Sequence, residues 1–393
     1  MRIYDGAGTR TKEYFVKIFD TSGNMLTSSF DIGFSSFKKS INGGLGELTL
    51  ELARKFDDFG EGVEIDFMNE VQIWVVDKES GPEGIKIYSG FIDQYEPFAT
   101  GTGEGVIVRC LGYATRLADI IYRVETAISI AHASVDPTTI AEAIIDAANT
   151  ILAQDIFSYD TTTIEDTGTS CSYTFNMKTC YEALGIVREL APANWWWYVD
   201  EDGYFYFKEK QSTPTHTFTF SGDIADIRVL KNIRDVKNQI IVWNGLMDED
   251  SQLLCRSYRD LDSRKAYGNR MEAVTDGRLL VQATMDQYGE SFINTRKDPN
   301  VRVTLTVIDS NLNDFGYDIE LINPGDTCRI KNLPETSTTF DENMVITDVV
   351  YQLGKVQITL EDLRQKLTAK FSDVIKELKT HVYTDGPATF TTV

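Results

Sequence analysis

The hydrophobic positions along this chain change period several times, and each change marks a predicted structural element. Glu47–Leu52 places leucines at alternate positions, and Asn300–Ile308 alternates apolar and polar residues in the same way. Alternation of this kind predicts half-buried strands. Short runs separated by glycine-rich turns fill residues 1–121, which predicts an antiparallel barrel or sandwich there. Further strands are predicted over 211–360.

Helical spacing of apolar residues is found between these two β segments. Asp136 is followed by a proline, and this pair predicts a helix start, because aspartate caps free N–H groups and proline suits the first helical position. Thr179 and Glu182 fit the capping box of a second helix. Residues 122–210 therefore read as a small α+β domain. Another helix is predicted near 268–288.

One last amphipathic helix is predicted in the C-terminal residues 361–393, followed by a short tail. Its apolar stripe keeps a three-four spacing. The stripe consists of Leu363, Leu367, Phe371, Val374 and Leu378. Because no predicted strand follows it, we expect this helix to contact a partner during assembly.

Three consecutive tryptophans, Trp195, Trp196 and Trp197, begin an aromatic run that an Asp-Gly turn separates from a second one. An Asp-Gly pair between two such runs predicts a β-hairpin, since glycine adopts positive φ without strain. The indoles could form a stacking platform for sugars or bases. More often, adjacent aromatics place one face in a core and the other against a neighbour. We therefore treat these tryptophans as candidate partner contacts.

The chain is acidic, with 38 Lys and Arg residues against 60 Asp and Glu residues and a net charge of −22 over 393 residues. Such a charge repels phosphate backbones and anionic membrane surfaces, so specific nucleic-acid binding is not expected. The first residues are polar, which predicts no signal peptide, and no apolar run is long enough to span a bilayer. The five cysteines are scattered without a C-x-x-C spacing, which favours free thiols.

The sequence contains no recognisable catalytic constellation, so we predict that the chain is not an enzyme. His132, His216 and His381 fall in separate segments, in no spacing typical of a metal site or a catalytic triad. His216 is interpreted as a hydrogen-bonded structural histidine. No metal and no cofactor are predicted. Carboxylates are abundant, but a glycosidase needs two of them across a cleft, which a sequence does not display.

Several segments follow one another in an order that resembles phage tail baseplate-hub and tail-tip hub proteins. They are the Thr179 helix, Trp195–Val199, the Asp-Gly turn with its aromatic strand, residues 216–224 and residues 237–245. The resemblance implies a mainly β fold with an α+β insertion. Two hub-type antiparallel β-barrels would occupy 1–121 and 211–360, with the α+β domain at 122–210 between them and the C-terminal helix after them.

The resemblance also implies a function. Hub proteins of this kind form a homotrimeric ring that joins the sixfold tail tube to a threefold tip and lets DNA pass without binding it specifically. The implied partners are the tail tube or distal tail ring protein, the tape-measure protein, and tip or fibre proteins. No membrane insertion is implied. The expected location is the tail of the virion, assembled in the host cytoplasm.

Two alternatives stay open at this stage. One is a carbohydrate-binding or glycan-cleaving tail protein that uses the tryptophan run and nearby acidic residues. The other is the hub of a phage-derived contractile injection or secretion device, which would share the chemistry of a tail hub. Glycan binding by the isolated protein would favour the first, and the neighbouring genes would identify the second.

Overall fold

The computed structural model describes most of the chain up to residue 361. The described residues are 2–4, 10–29, 33–52, 66–77, 84–101, 103–125, 127, 129–192, 194–220, 222–247, 253–276, 282–309, 318–331, 344–352 and 354–361. The predicted C-terminal helix and its apolar stripe lie outside these residues.

Strands dominate the described part of the chain, which confirms the prediction of a mainly β protein with an α+β portion. In chain order the strands are β1 (Arg2–Tyr4), β2 (Arg10–Phe19), β3 (Met25–Ser29), β4 (Gly33–Ser40), β5 (Glu47–Leu52), β6 (Glu70–Asp77), β7 (Ile85–Thr100), β8 (Gly103–Gly112), β9 (Ser129–Val135), β10 (Cys171–Asn176), β11 (Trp195–Val199), β12 (Phe205–Glu209), β13 (His216–Thr219), β14 (Ile224–Asn232), β15 (Gln239–Met247), β16 (Leu253–Arg259), β17 (Met271–Thr275), β18 (Asn300–Ile308), β19 (Thr327–Lys331), β20 (Met344–Gln352) and β21 (Lys355–Glu361). The helices are α1 (Ala114–Ala118), α2 (Pro137–Leu152), α3 (Cys180–Leu190), α4 (Leu261–Tyr267) and α5 (Gln282–Arg296).

Fourteen of these strands form one large sheet that includes strands from both predicted β segments, whereas β15, β16 and β17 form a separate three-stranded sheet. Its main path runs β1-β2-β6-β7-β8-β5-β4-β20-β21-β18-β14, while β3 pairs with β2, and β19 pairs with β20 and β13. All pairings in the sheet are antiparallel except that of β13 with β19. The two β segments meet where β4 pairs with β20, from Ser40 opposite Asp348 to Phe37 opposite Tyr351.

A single hydrophobic core continues across this junction. Phe37 on β4 stacks on Tyr351 on β20 with ring centroids 4.4 Å apart, and both side chains are buried. Leu50 from the first segment and Leu305 from the second are fully buried members of the same core. The two β segments are therefore packed together as well as hydrogen-bonded to each other.

The α+β portion has its own core, built around α2, α3 and the sheets β9–β10 and β11–β12. Both predicted helix starts are confirmed. The Asp136 side chain accepts a hydrogen bond from the Thr138 backbone N–H at 2.8 Å, and Thr179 Oγ1 accepts one from the Glu182 N–H at 3.1 Å. These caps satisfy N–H groups that have no partner inside the helix.

The segment between β14 and β18 also packs into this second core. Ile240 and Val242 on β15, and Met285 and Phe292 on α5, are fully buried there. The hydrophobic core of the α+β portion therefore also contains side chains from residues 211–360. The prediction of a helix near 268–288 is confirmed over Gln282–Tyr288, the first part of α5, and is wrong over Met271–Thr275, which pairs in parallel with β15. That tertiary pairing outweighs the local apolar spacing on which the prediction was based.

Candidate functional site

The α+β portion is anchored to the large sheet by the glycine-rich loop that follows β4. Asn42 in this loop adopts a left-handed φ of 53° and forms two hydrogen bonds with the backbone of the hairpin strand β11. Its backbone N–H donates to the Trp197 carbonyl at 2.8 Å, and its side-chain oxygen accepts from the Trp197 N–H at 3.1 Å. Asparagine tolerates this backbone conformation better than most residues. The loop therefore acts as a docking point for the hairpin.

The neighbouring glycine supports the same contact. Gly43 has a φ of +105°, and a Cβ at this position would lie 2.2 Å from the Tyr181 hydroxyl oxygen. That hydroxyl donates a hydrogen bond to the Gly43 carbonyl at 2.5 Å. Only glycine allows α3, which carries Tyr181, to approach the loop so closely.

The three tryptophans of β11 pack on both faces of the hairpin, two in the α+β core and one against residues near the large sheet. Trp195 and Trp197 are 3% and 2% exposed and belong to the α+β core, while Trp196 is 6% exposed and points the other way. Trp196 packs with Ile41 and Val345 of the large sheet. Within this chain, the three indoles are therefore covered by its own residues, and their role as partner contacts stays a prediction.

A cavity of about 190 Å³ lies beside Trp196, between the hairpin and the loop that precedes β19. Its carboxylates already have partners inside the chain. Asp200 accepts a hydrogen bond from the Tyr206 hydroxyl at 3.0 Å, and Asp326 lies 2.9 Å from His216 Nε2. The interpretation of His216 as a hydrogen-bonded structural histidine is therefore confirmed. These contacts give the acidic groups of the cavity a packing role.

A buried charge cluster joins the first β segment to the second. Lys12 on β2 is 3% exposed, and its Nζ lies 2.8 Å from Asp309, 3.1 Å from Asp318 and 2.5 Å from Glu320. The Tyr14 hydroxyl donates a hydrogen bond to Glu320. No local motif predicts this cluster, because Lys12 and Glu320 are about three hundred positions apart in the sequence. Because it ties β2 to residues that follow β18, the cluster is a second internal anchor between the two β segments.

The cluster holds more negative than positive groups, and it compensates by retaining a proton. Burial raises the pKa of Glu320 to about 8, with a further contribution from its hydrogen bond with Asp318 and despite the opposing effect of Lys12. Burial also acts to raise the pKa of Asp318, but the bond with Glu320 and the charge of Lys12 outweigh it and lower that pKa. At neutral pH, Glu320 is thus largely protonated beside an ionised Asp318.

The proton on Glu320 predicts a pH dependence of stability. The folded chain keeps this proton between the ordinary glutamate pKa of 4.5 and about 8, whereas the unfolded chain releases it. Stability should therefore fall as the pH rises through this window, because the folded state binds more protons. Urea titrations of wild type and Glu320→Gln should show a wild-type loss larger by at least about 1 kcal/mol between about pH 5 and about pH 8. Equal slopes in the two proteins would refute the assignment.

The remaining chemistry of the described residues is simple. All five cysteines are unpaired, and burial raises the pKa of Cys171, Cys180 and Cys328 to about 12. No group of three or more His, Cys, Asp or Glu side chains in the described ranges could hold a metal ion. No helix among the described residues is long and apolar enough to cross a membrane. The predicted C-terminal contact residues lie outside the described part of the chain.

Comparison with known proteins identifies the fold. No protein-family model matches the chain, and no curated protein matches its sequence. Among solved structures, the 43 kDa tail protein of prophage MuSo2 from Shewanella oneidensis matches with a TM-score of 0.62 at 13% identity, over 90% of this chain and 99% of the other. Prophage tail protein gp18 from Listeria monocytogenes EGD-e matches with a TM-score of 0.55 at 13% identity, over 93% and 99%.

A chain of the Francisella PdpA–VgrG complex matches with a TM-score of 0.50 at 8% identity, over 90% of this chain and 53% of the other. At these identities the likeness concerns the fold. The chain thus has the fold of phage tail proteins, and the predicted resemblance to tail hub proteins is confirmed at that level.

Proposed function

We propose that this protein is a structural hub of a phage tail tip or baseplate. The observation that carries the proposal is the joining of two β segments into one sheet through β4 and β20, in a chain whose fold matches phage tail proteins along nearly its whole length. Buried charges and the Asn42 loop fix the parts of the chain to one another. A rigid chain of this kind suits a load-bearing element better than an enzyme that must open and close.

In the proposed assembly, three copies form a closed ring. Each copy brings two β-barrel units, so three copies present six units to the sixfold tail tube and a threefold face to the tip. Cyclic symmetry closes such a ring with one kind of interface. The net charge of −22 disfavours adhesion of DNA during passage. The tail tube or distal tail ring protein, the tape-measure protein, and tip or fibre proteins would be its neighbours in the virion tail.

Light scattering coupled to size exclusion tests the ring directly. We expect a particle of about 133 kDa, three times the 44.3 kDa of one chain, at concentrations of about one to tens of micromolar. Cryo-electron microscopy of the tail tip would then show three copies and six β units around the axis. A monomer in both experiments, or a hexamer in the tail, would contradict the proposal.

The fold also matches a chain of the PdpA–VgrG complex, which favours a hub of a phage-derived injection or secretion device as the second candidate. The two candidates predict the same ring. The neighbouring genes distinguish them, since a tape-measure gene beside capsid genes belongs to a phage tail. A glycan-directed role has less support, because the tryptophans proposed for it are buried.

A further inference from the structure

A buried lysine lies where the two β segments and the aromatic hairpin meet. Lys39 on β4 is 4% exposed, and its Nζ lies 2.7 Å from a carboxylate oxygen of Glu201, in the turn between β11 and β12. The same Nζ lies 3.5 Å from the side-chain oxygen of Asn323, in the loop that precedes β19. An amine, a carboxyl group and a primary amide thus meet around one atom, although Lys39 and Asn323 are 284 positions apart in the sequence.

Aromatic side chains surround this group and remove it from water. Lys39 Nζ lies 5.5 Å from the ring centroid of Tyr351, which is buried. Tyr198, which lines a small cavity together with Lys39 and Glu201, is buried as well. An ion pair in such a place loses hydration that its mutual attraction replaces only in part. Transfer of one proton from Lys39 to Glu201 makes both groups neutral and leaves the lysine as a free amine, which is a nucleophile.

We propose that Lys39 and Asn323 form an isopeptide bond within the chain, with Glu201 as the proton carrier. Lys39 Nζ attacks Asn323 Cγ, and an approach of roughly 1 Å from its contact with the amide oxygen gives an attack distance of about 3 Å. The new Nζ–Cγ bond replaces the Cγ–Nδ2 bond. The lysine ammonium loses two protons, which Glu201 passes in turn to Nδ2. The amide nitrogen therefore leaves as ammonium, Glu201 ends ionised, and no oxidant or other reactant is consumed.

The loop that carries Asn323 favours this reaction over hydrolysis of the amide. Pro324 follows it in the sequence and has no backbone N–H, so the attack of the next backbone nitrogen that usually deamidates asparagine is blocked. Glu201 and Asn323 also line the cavity of about 190 Å³ beside Trp196, which has room for the departing ammonium. The bond joins β4 of the first β segment to the loop before β19 of the second. Because it forms within one chain, it does not depend on the proposed ring.

Mass spectrometry of the purified full-length protein, denatured and reduced, tests the bond. We expect an intact mass about 17 Da below the mass of the sequence, which is the loss of one ammonia molecule. Trypsin should release a branched peptide in which residues 39–54 and residues 303–329 are joined through Lys39 and Asn323. A chain of full mass that gives these two peptides separately would overturn the proposal, and the buried group would then be an ordinary ion pair.

Three substitutions test the roles of the side chains. Lys39→Arg keeps the positive charge without the amine nucleophile, and Glu201→Gln keeps the shape of the side chain without its ability to carry a proton. Both variants should show the full mass of their sequences and no branched peptide. The matched control Asp202→Asn changes the next position of the same turn, where the carboxylate pairs with Lys86 at 2.6 Å, and should keep the loss of ammonia. A branched peptide of equal yield in Glu201→Gln would refute the role of Glu201, while the wild-type mass alone decides whether the bond exists.

Discussion

Replacing Lys12 by methionine is expected to lower the free energy of unfolding by about 3–5 kcal/mol at neutral pH. The substitution keeps the length and most of the volume of the side chain but removes the charged Nζ, which lies within 3.1 Å of Asp309, Asp318 and Glu320. The charge of Lys12 helps to hold the pKa of Asp318 below its usual range, so the substitution leaves the ionised Asp318 carboxylate without this cation. Leaving buried charges without a counter-charge is far more costly than losing an exposed pair.

Urea denaturation with the matched variant Lys265→Met isolates this effect. Lys265 also forms an ion pair, 3.8 Å from Asp262, but its side chain is 82% exposed. Its replacement should cause no measurable change, since exposed pairs contribute little. If the Lys12 variant were as stable as the Lys265 variant, the buried cluster would not be an anchor between the two β segments.

Replacing Gly325 by alanine is expected to cost about 2–4 kcal/mol. Gly325 has a φ of +93°, and a Cβ there would lie 2.4 Å from the Trp196 ring. Part of the cost is the strain of a left-handed backbone, and the rest is displacement of an indole that packs between the hairpin and the large sheet. Near-ultraviolet circular dichroism should report the displaced indole, and thermal or urea unfolding should report the lost stability.

Gly354→Ala separates the two contributions. Gly354 also has a positive φ of +70°, but nothing lies within 4 Å of a Cβ built on it. This control should therefore cost only the backbone strain, about 1 kcal/mol. Equal losses at the two positions would mean that the Trp196 contact adds nothing to the docking of the hairpin.

The sequence predicted the local features of this fold because their causes lie within a few residues. The aspartate and threonine caps of α2 and α3 act on N–H groups two or three positions away, and the Asp-Gly turn joins adjacent strands. The mainly β character follows from short-range alternation in the same way. The burial of Trp196 could not be predicted, because the residues that cover it come from other parts of the chain.

Long-range contacts explain the rest of the difference. No local pattern brings Lys12 to Glu320, and the strand character of Met271–Thr275 depends on its pairing with β15. The glycines after β4 predicted a sharp loop, but the close approach of Tyr181 to Gly43 depends on tertiary packing that the local sequence does not show. Features that depend on neighbouring residues could therefore be predicted from the sequence, whereas features that depend on long-range contacts could not.

The pairing of β4 with β20 has a mechanical consequence. Four residue pairs, from Ser40–Asp348 to Phe37–Tyr351, connect the two halves of the sheet. A pull along these strands loads their hydrogen bonds in shear, so the bonds must break together, whereas a pull across them would open one bond after another. Tension transmitted along this direction would pass through the backbone ladder itself, and the two halves would move as one body.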